Sequence, residues 1–553
     1  MRILKWSAAV AILLQACSDD PEPPGSSADG AGGSGGSGAR GGASGSAGVG
    51  GASGRGGSGG SGGLSGSAGT AGTGAGGGSS GSSGSAGADA GTDASTGGTA
   101  GADASTGGTA GVDAGTGGTV GADASTGGTA GTDAGPDGAD APLPCSVQVA
   151  AGALHTCARK ADNSLYCWGR GELGNGGPMV PSQPTPVAVT ALGTNVIRVA
   201  AGTTTCAIRQ GGSLWCWGNN LLGQVGDGTS SGDELVDGQP HRILPQQLAL
   251  SNIVSVAAGA GHTCAVEAGG DLHCWGSNSL GQIGNATTTG SACGSNVCRP
   301  SPTRVTALST LVADVAVGGR HTCAVTKDGR LYCWGENTTG QLGTGSTGGE
   351  SCQPSLPCRS SPAQVTALGN DVAQVAAGGS HTCAVLKNGT LWCWGVNSSG
   401  QVGNGTQTGS QCTLPGGSSF PICVTSPAQV TALGANVAQV VTAGDRTCAR
   451  LKDRSLWCWG DNAWGEIGAP TDADAGINGA QPLPVRVVAL GNDVTEVAIS
   501  VEHSCARTHA GSVWCWGNNT YGQVGDGTTA GSDCRFNGHC RLAPTRSILC
   551  DSP

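Results

Sequence analysis

The sequence has little of what most protein interiors are built from. Among 553 residues there are two Phe, three Tyr and two Met, so no ordinary aromatic core runs through the chain. Basic residues are also short: 26 Lys and Arg against 37 Asp and Glu leave a formal charge of −11. A nucleic-acid binder carries a basic face, and this balance argues against that class. After Leu14 no apolar run is long enough to cross a bilayer as a helix. The signatures of common chemistries are missing as well. There is no phosphate loop G-x-x-x-x-G-K-[ST], no H-E-x-x-H and no C-x-x-C, and no acid pair recurs at a fixed offset. No nucleophile elbow sits between a strand and a helix. The expectation is a chain without catalytic residues, bound metal or cofactor.

What is abundant is Gly, with 106 residues, and Cys, with 25. Cysteines in that number, without zinc spacing, point to an oxidising compartment. The N-terminus agrees. Arg2 and Lys5 precede the apolar run "WSAAVAILL", the shape of a secretory signal. It ends "LQAC" at residues 14–17, which resembles the lipobox of bacterial lipoproteins, with Cys17 as the lipidated residue. Gln15 is an unusual choice there, and the alternative is an ordinary signal peptide with a chance Cys. Residues 1–17 are therefore read as a lipoprotein-type signal. The chain is expected to be exported and held at the outer membrane or cell surface of a bacterium by its lipid alone.

Residues 18–144 are almost wholly Gly, Ser, Ala, Thr and Asp, with the decamer "GADASTGGTA" at 101–110 and again at 121–130. No aromatic residue occurs in them, so they cannot build a core and are expected to be a disordered tether. A Gly-rich coil of that length reaches roughly 60–70 Å. No strict Gly every third residue occurs, which excludes a collagen-like helix.

From Cys145 to Pro553 the chain repeats. Trp-Gly recurs with its Trp at 168, 217, 275, 334, 394, 459 and 516. The unit reads V-x-x-V-A-A-G, H-T-C-A-V, a turn, L-W-C-W-G, N-x-x-G-Q-x-G, a variable loop, then P-x-x-V. That is about four short strands punctuated by Gly, Pro or Asn, the pattern of an all-β array that hides its edges by radial repetition. On these motifs the unit resembles the regulator of chromosome condensation repeat over about 400 residues. The resemblance implies a seven-bladed β-propeller. The sialidase Asp-box, S-x-D-x-G-x-T-W, is not found.

Two cysteines stand ten apart in every copy, and folding the segment between them as a hairpin opposes them on one face. One cross-strand disulfide per blade follows: Cys157–Cys167, Cys206–Cys216, Cys264–Cys274, Cys323–Cys333, Cys383–Cys393, Cys448–Cys458 and Cys505–Cys515. The loop's third residue wants a left-handed backbone, which suits Asn163 and five glycines but not Arg454. Four variable loops carry pairs of their own: Cys293–Cys298, Cys352–Cys358, Cys412–Cys423 and Cys534–Cys540. Cys145 and Cys550 remain to staple the ends of the ring. Zinc is the rival, disfavoured because pairs in separate blades would not converge on one tetrahedral site. His155, His262, His321, His381 and His503 share one repeat position and read as hydrogen-bonded links between blades rather than metal ligands. The Trp of each Trp-Gly reads as inter-blade core.

Repeated letters build scaffold, so recognition is expected where repeats differ. Before the Gly of "xGQ", Leu222, Leu280, Thr339 and Ser399 give way to Trp464 and Tyr521 in neighbouring blades. The loop before P-x-x-V carries Phe420, Arg535 and Phe536. Aromatics and Arg are common binding anchors, and stiff disulfide-bonded loops lower the ordering cost of binding; ordinary packing under long loops is the alternative. "TDADAG" at 471–476 offers Asp472 and Asp474 to calcium but lacks the remainder of an EF-hand loop. The family's founding member is a nucleotide exchange factor, and its plant ultraviolet receptor carries G-W-R-H where this chain has "GGRH" at 318–321. The reading is a monomeric, non-enzymatic binding module with a protein or glycan partner. The alternatives are a secreted enzyme or enzyme inhibitor, for which secreted bacterial relatives offer the precedent, and an exchange-factor-like regulator.

Overall fold

The computed structural model describes residues 144–177, 181–236, 238–309, 311–353, 356–407, 410–413, 419–469, 479–534 and 538–551. The signal segment with Cys17, the tether up to residue 143, Asp472, Asp474, Arg535 and Phe536 lie outside them. The described chain is seven antiparallel sheets in sequence, one per repeat. In the fourth, Val312–Val317, His321–Thr326, Leu331–Glu336 and Leu356–Gln364 lie side by side, with Glu350–Gln353 outermost. Each V-x-x-V-A-A strand is innermost and packs against the innermost strands of both neighbouring blades. Ser146–Ala151 of the first blade touches both Val196–Ala201 and Val494–Ile499, which closes the ring. The fold is a seven-bladed β-propeller.

Alternation along each strand explains the stacking. In one inter-blade cluster, Cys323, Val325, Leu331 and Cys333 of blade 4 meet Val372, Val375, Ala384 and Trp394 of blade 5. All seven Trp-Gly tryptophans are fully buried, each filling such a junction. The glycine ending the N-x-x-G-Q-x-G loop makes room for them: a Cβ on Gly343 would stand 2.6 Å from the indole Nε1 of Trp394.

Four strands per blade is too few. Among the described residues five sheets have five strands, and those of blades 1 and 6 have four. The variable loops are long enough to fold back and pair as an outer hairpin, as Ser291–Cys293 does with Asn296–Arg304. All twelve expected cysteine pairs are bonded. Cα atoms are 4.1 Å apart across each inner hairpin and 5.8 Å apart across Cys145–Cys550. The outer hairpins are clamped by Cys293–Cys298, Cys352–Cys358, Cys412–Cys423 and Cys534–Cys540. One expectation is corrected at the inner turns. Arg454 adopts a φ of 66°, the same left-handed conformation as Asn163 and the glycines of the other blades, because the hairpin register around it is unchanged.

Candidate functional site

The recurrent motif first accounts for itself. The backbone carbonyl of each loop Gln accepts two donors from the next blade. Gln282 O takes the indole N–H of Trp334 at 2.9 Å and the hydroxyl of Thr322 at 2.8 Å. That threonine oxygen also meets Nε2 of His262 in the preceding blade at 2.8 Å. Since the hydroxyl proton goes to the carbonyl, Nε2 must carry the proton that His donates. The same link joins His155 to Thr205, His321 to Thr382, His381 to Thr447 and His503 to Thr156. Burial drives these imidazoles to pKa values of about 3 to 4, so they are neutral girders. The loop Asn is internal too: Oδ1 of Asn337 accepts from Leu342 N, and its amide donates to the carbonyls of Ser346 and Gly348.

Blade 6 changes both partners at once. Arg446 replaces the His and Glu466 replaces the Gln, and the two pair at 3.0 Å with 1% and 0% exposure. Arg446 also donates to the carbonyl of Ser500 in blade 7 at 2.6 Å. Around this pair the surface turns acidic. Asp445 accepts from the Gln401 amide at 2.9 Å, and burial with the neighbouring Asp461 charge raises its carboxyl to about 6. Burial raises Glu466 and Glu502 to about 7, against the opposing pull of Arg446 on the first and an Asn518 hydrogen bond on the second.

Trp464 and Tyr521 belong to this region. Both are half-buried on the same loop position of adjacent blades. Trp464 stands over Gly538, where a Cβ would meet its ring at 2.7 Å, so it leans on the outer hairpin of blade 7. Tyr521 is held by Arg170 of blade 1, which donates to its hydroxyl at 3.0 Å and stacks 4.8 Å from its ring centre. Phe420 lies elsewhere, on the outer hairpin strand Ser419–Gln429 of blade 5. The equivalent position is not a recognition position in every blade. Thr338 and Thr339 are buried and spend their hydroxyls on Glu336 and Gln341. Leu280 is buried likewise. The carboxylates Asp445, Asp461 and Glu502 were missed from sequence, because they stand at two positions that change from blade to blade: the one before the His, with Leu154, Thr203, Gly261, Arg320 and Ser380 elsewhere, and the one after Trp-Gly. Among the described residues one group of ligand-type side chains converges, Glu350 with Cys352 and Cys358, but those cysteines are bonded to each other and offer no thiolate.

Models of the regulator of chromosome condensation (RCC1) repeat match residues 211–266, 269–325, 328–385, 388–450, 453–507 and 510–548, and a second such model matches 147–175 and five later segments. The chain belongs to the RCC1 repeat family. It is 30% identical over 388 residues to the ultraviolet-B receptor UVR8 of Arabidopsis thaliana, covering 68% of this chain and 78% of that one. It is 27% identical over 380 residues to the mitochondrial RCC1 domain-containing protein RUG3 of the same plant, covering 65% and 79%. The crystal structure of Prp20p from Saccharomyces cerevisiae superposes with a TM-score of 0.53 at 20% identity, over 65% of this chain and 82% of that one. RCC1-repeat propellers are in general binders and regulators rather than enzymes, and the fold here is theirs.

Proposed function

We propose that this RCC1-repeat propeller is a non-catalytic binding module, displayed at a bacterial cell surface on its N-terminal tether. Its recognition face spans blades 6, 7 and 1. The observation that carries the reading is one cluster: Trp464 and Tyr521, the two aromatics at their loop position, stand half-exposed in the region of Asp445, Asp461 and Glu502, while Thr339 and Leu280 at that position are buried and the half-buried Leu222 and Ser399 offer no aromatic face. Tyr521 already carries the cation of Arg170 on its ring, and the half-exposed Trp464 in the same acidic region suits a further cationic group, so the partner is a protein presenting Lys or Arg. The yeast propeller crystallised bound to Kap60 offers a precedent for protein binding by this fold. Reception of ultraviolet light is not carried over from the plant relative. Where that receptor has its extra Trp this chain has Gly319, and even a Cβ there would stand 2.7 Å from Gly379 O.

The test is affinity capture from the native cell envelope with the wild-type chain and with Trp464→Ala/Tyr521→Ala. Capture should fall at least tenfold in the double variant and weaken with salt, with the melting curve unaltered. Equal capture by a folded double variant removes this face from consideration. Capture of the same partner competed by a free sugar rather than by salt favours a glycan instead.

A further inference from the structure

At the position two residues after the first cysteine of each hairpin, blades 2 to 5 hold Ile208, Val266, Val325 and Val385. Blades 6, 7 and 1, consecutive in the closed ring, hold Arg450, Arg507 and Arg159 instead. Each Arg sits directly across the sheet from a polar residue of the innermost strand: Gln439, Glu496 and Gln148. The corresponding innermost residue of blade 2 is itself a cation, Arg198. Four guanidinium groups therefore follow one another through blades 6, 7, 1 and 2 at one height of the ring. This is the end of the blades that carries the inner hairpin turns, away from the N-x-x-G-Q-x-G loops.

Their own bonds leave them under-used. Arg450 Nε donates to Gln439 at 3.4 Å, and Arg198 to Ser255 at 3.4 Å. Arg507 donates to Glu496 at 3.3 Å and to Ser146 O at 3.5 Å. Only Arg159 makes a short bond, to Asn163 at 2.7 Å, while its Nε is buried without a partner. A guanidinium offers five donors, so roughly twenty are available to those few acceptors. Two carboxylates share this height of the ring: Glu496, 1% exposed, takes the backbone N–H of Val149 and Arg507 Nε on the same oxygen, and Asp314 of blade 4, 0% exposed, accepts from Ser255, the partner of Arg198. Contrast Arg446, whose charge is matched by Glu466. Arg159 is half-buried and feels the attraction of Glu496 and the repulsion of Arg507 and Arg198; Arg450, also half-buried, feels the attraction of Glu496 and the repulsion of Arg454 and Arg507. Burial and that repulsion push the guanidinium pKa of each down. Water screens such charges poorly, and a planar fork is shaped for paired oxygens.

We propose that Arg159, Arg198, Arg450 and Arg507 form an oxyanion-binding site, for a phosphate, sulfate or carboxylate group, at the hairpin-turn end of the propeller. This surface is separate from the acidic aromatic face and does not depend on its role.

The experiment is a thermal melt and a calorimetric titration of the oxidised full-length chain with sodium phosphate, sulfate or acetate, at ionic strength held constant with chloride. At least one oxyanion should raise Tm in a saturable manner that chloride does not. Phosphate or sulfate acting alone assigns an ester ligand, and acetate acting alone a carboxylate. Arg159→Gln/Arg450→Gln should weaken binding tenfold or more. Glu496→Gln, which removes the carboxylate that attracts Arg159, Arg450 and Arg507 but keeps an acceptor for Val149, should tighten it several-fold. That second variant moves the readout in the direction a mere loss of structure would not. Absence of any saturable effect in the wild type, or tightening absent in a folded Glu496→Gln chain, overturns the proposal.

Discussion

Arg446 and Glu466 show how a repeat position can change only in company. In five blades a neutral His donates across the junction to a Thr of the next blade. In blade 6 the longer Arg reaches the carbonyl of Ser500, and a charge at 1% exposure demands a counter-charge, which Glu466 supplies. Removing one partner strands the other in a dry site. We expect Arg446→Met to destabilise the propeller by about 3–5 kcal/mol. Restoring the repeat at both positions, Arg446→His with Glu466→Gln, should come within about 1 kcal/mol of the wild type, since a buried pair is often replaceable as a unit. Chemical denaturation midpoints of the two variants check this. A double variant as weak as the single one would mean that the rest of blade 6 has adapted to the charges.

Hairpins are the elements that carry the cysteines, and burial separates them into two classes. The seven inner disulfides have both residues at 0% exposure. By contrast Cys352, Cys534, Cys145 and Cys550 are only partly buried. A thiolate must reach a sulfur to exchange with it. Brief treatment of the native chain with a mild reductant should therefore open Cys352–Cys358, Cys534–Cys540 and Cys145–Cys550 first. Differential alkylation followed by peptide mass mapping should find the inner seven intact; early labelling of Cys323 or Cys333 would contradict it. The inner hairpins were legible in the sequence because cysteine spacing and alternation agree at every copy and a turn glycine joins them in five. The fifth strands were not, because the variable loops have no shared pattern and pair only once the third strand supplies an edge. The site was legible in part. Trp464 and Tyr521 stand out as letters, but whether such a letter is exposed depends on the neighbouring blade, which is why Thr339 points inward and Arg170 covers Tyr521. The carboxylates gather only when strand ends and loops from blades 6 and 7 meet.

On the scale of the whole ring, junctions rather than blades hold the molecule together, and most of them contain a group that cannot ionise freely. His155, His262, His321, His381 and His503 sit at about 3 to 4 in the folded chain against 6.5 when unfolded. Below pH 6.5 the unfolded chain binds protons that the folded chain refuses, so these groups lower stability as pH falls. Four carboxyls act in the opposite sense. Glu466, Glu496 and Glu502 are raised by burial to about 7 from 4.5, and Asp445 to about 6 from 3.8. The folded chain takes up their protons first, so their contribution grows as pH falls from 7 and is lost as pH rises through 7. Between pH 7 and 4.5, five histidines and four carboxyls nearly cancel. Below 4.5 the glutamates are protonated in both states while the histidines still differ, at roughly 1.4 kcal/mol per group per pH unit at the limit. Asp162, Asp328 and Asp453, held below their usual values mainly by side-chain hydrogen bonds, add to the loss in the same direction. The melting temperature should thus stay nearly level from pH 7 to 5 and drop steeply below about 4.5. Circular dichroism melts across that range decide it, and a steady decline beginning at pH 6.5 would show that the carboxyls do not offset the histidines.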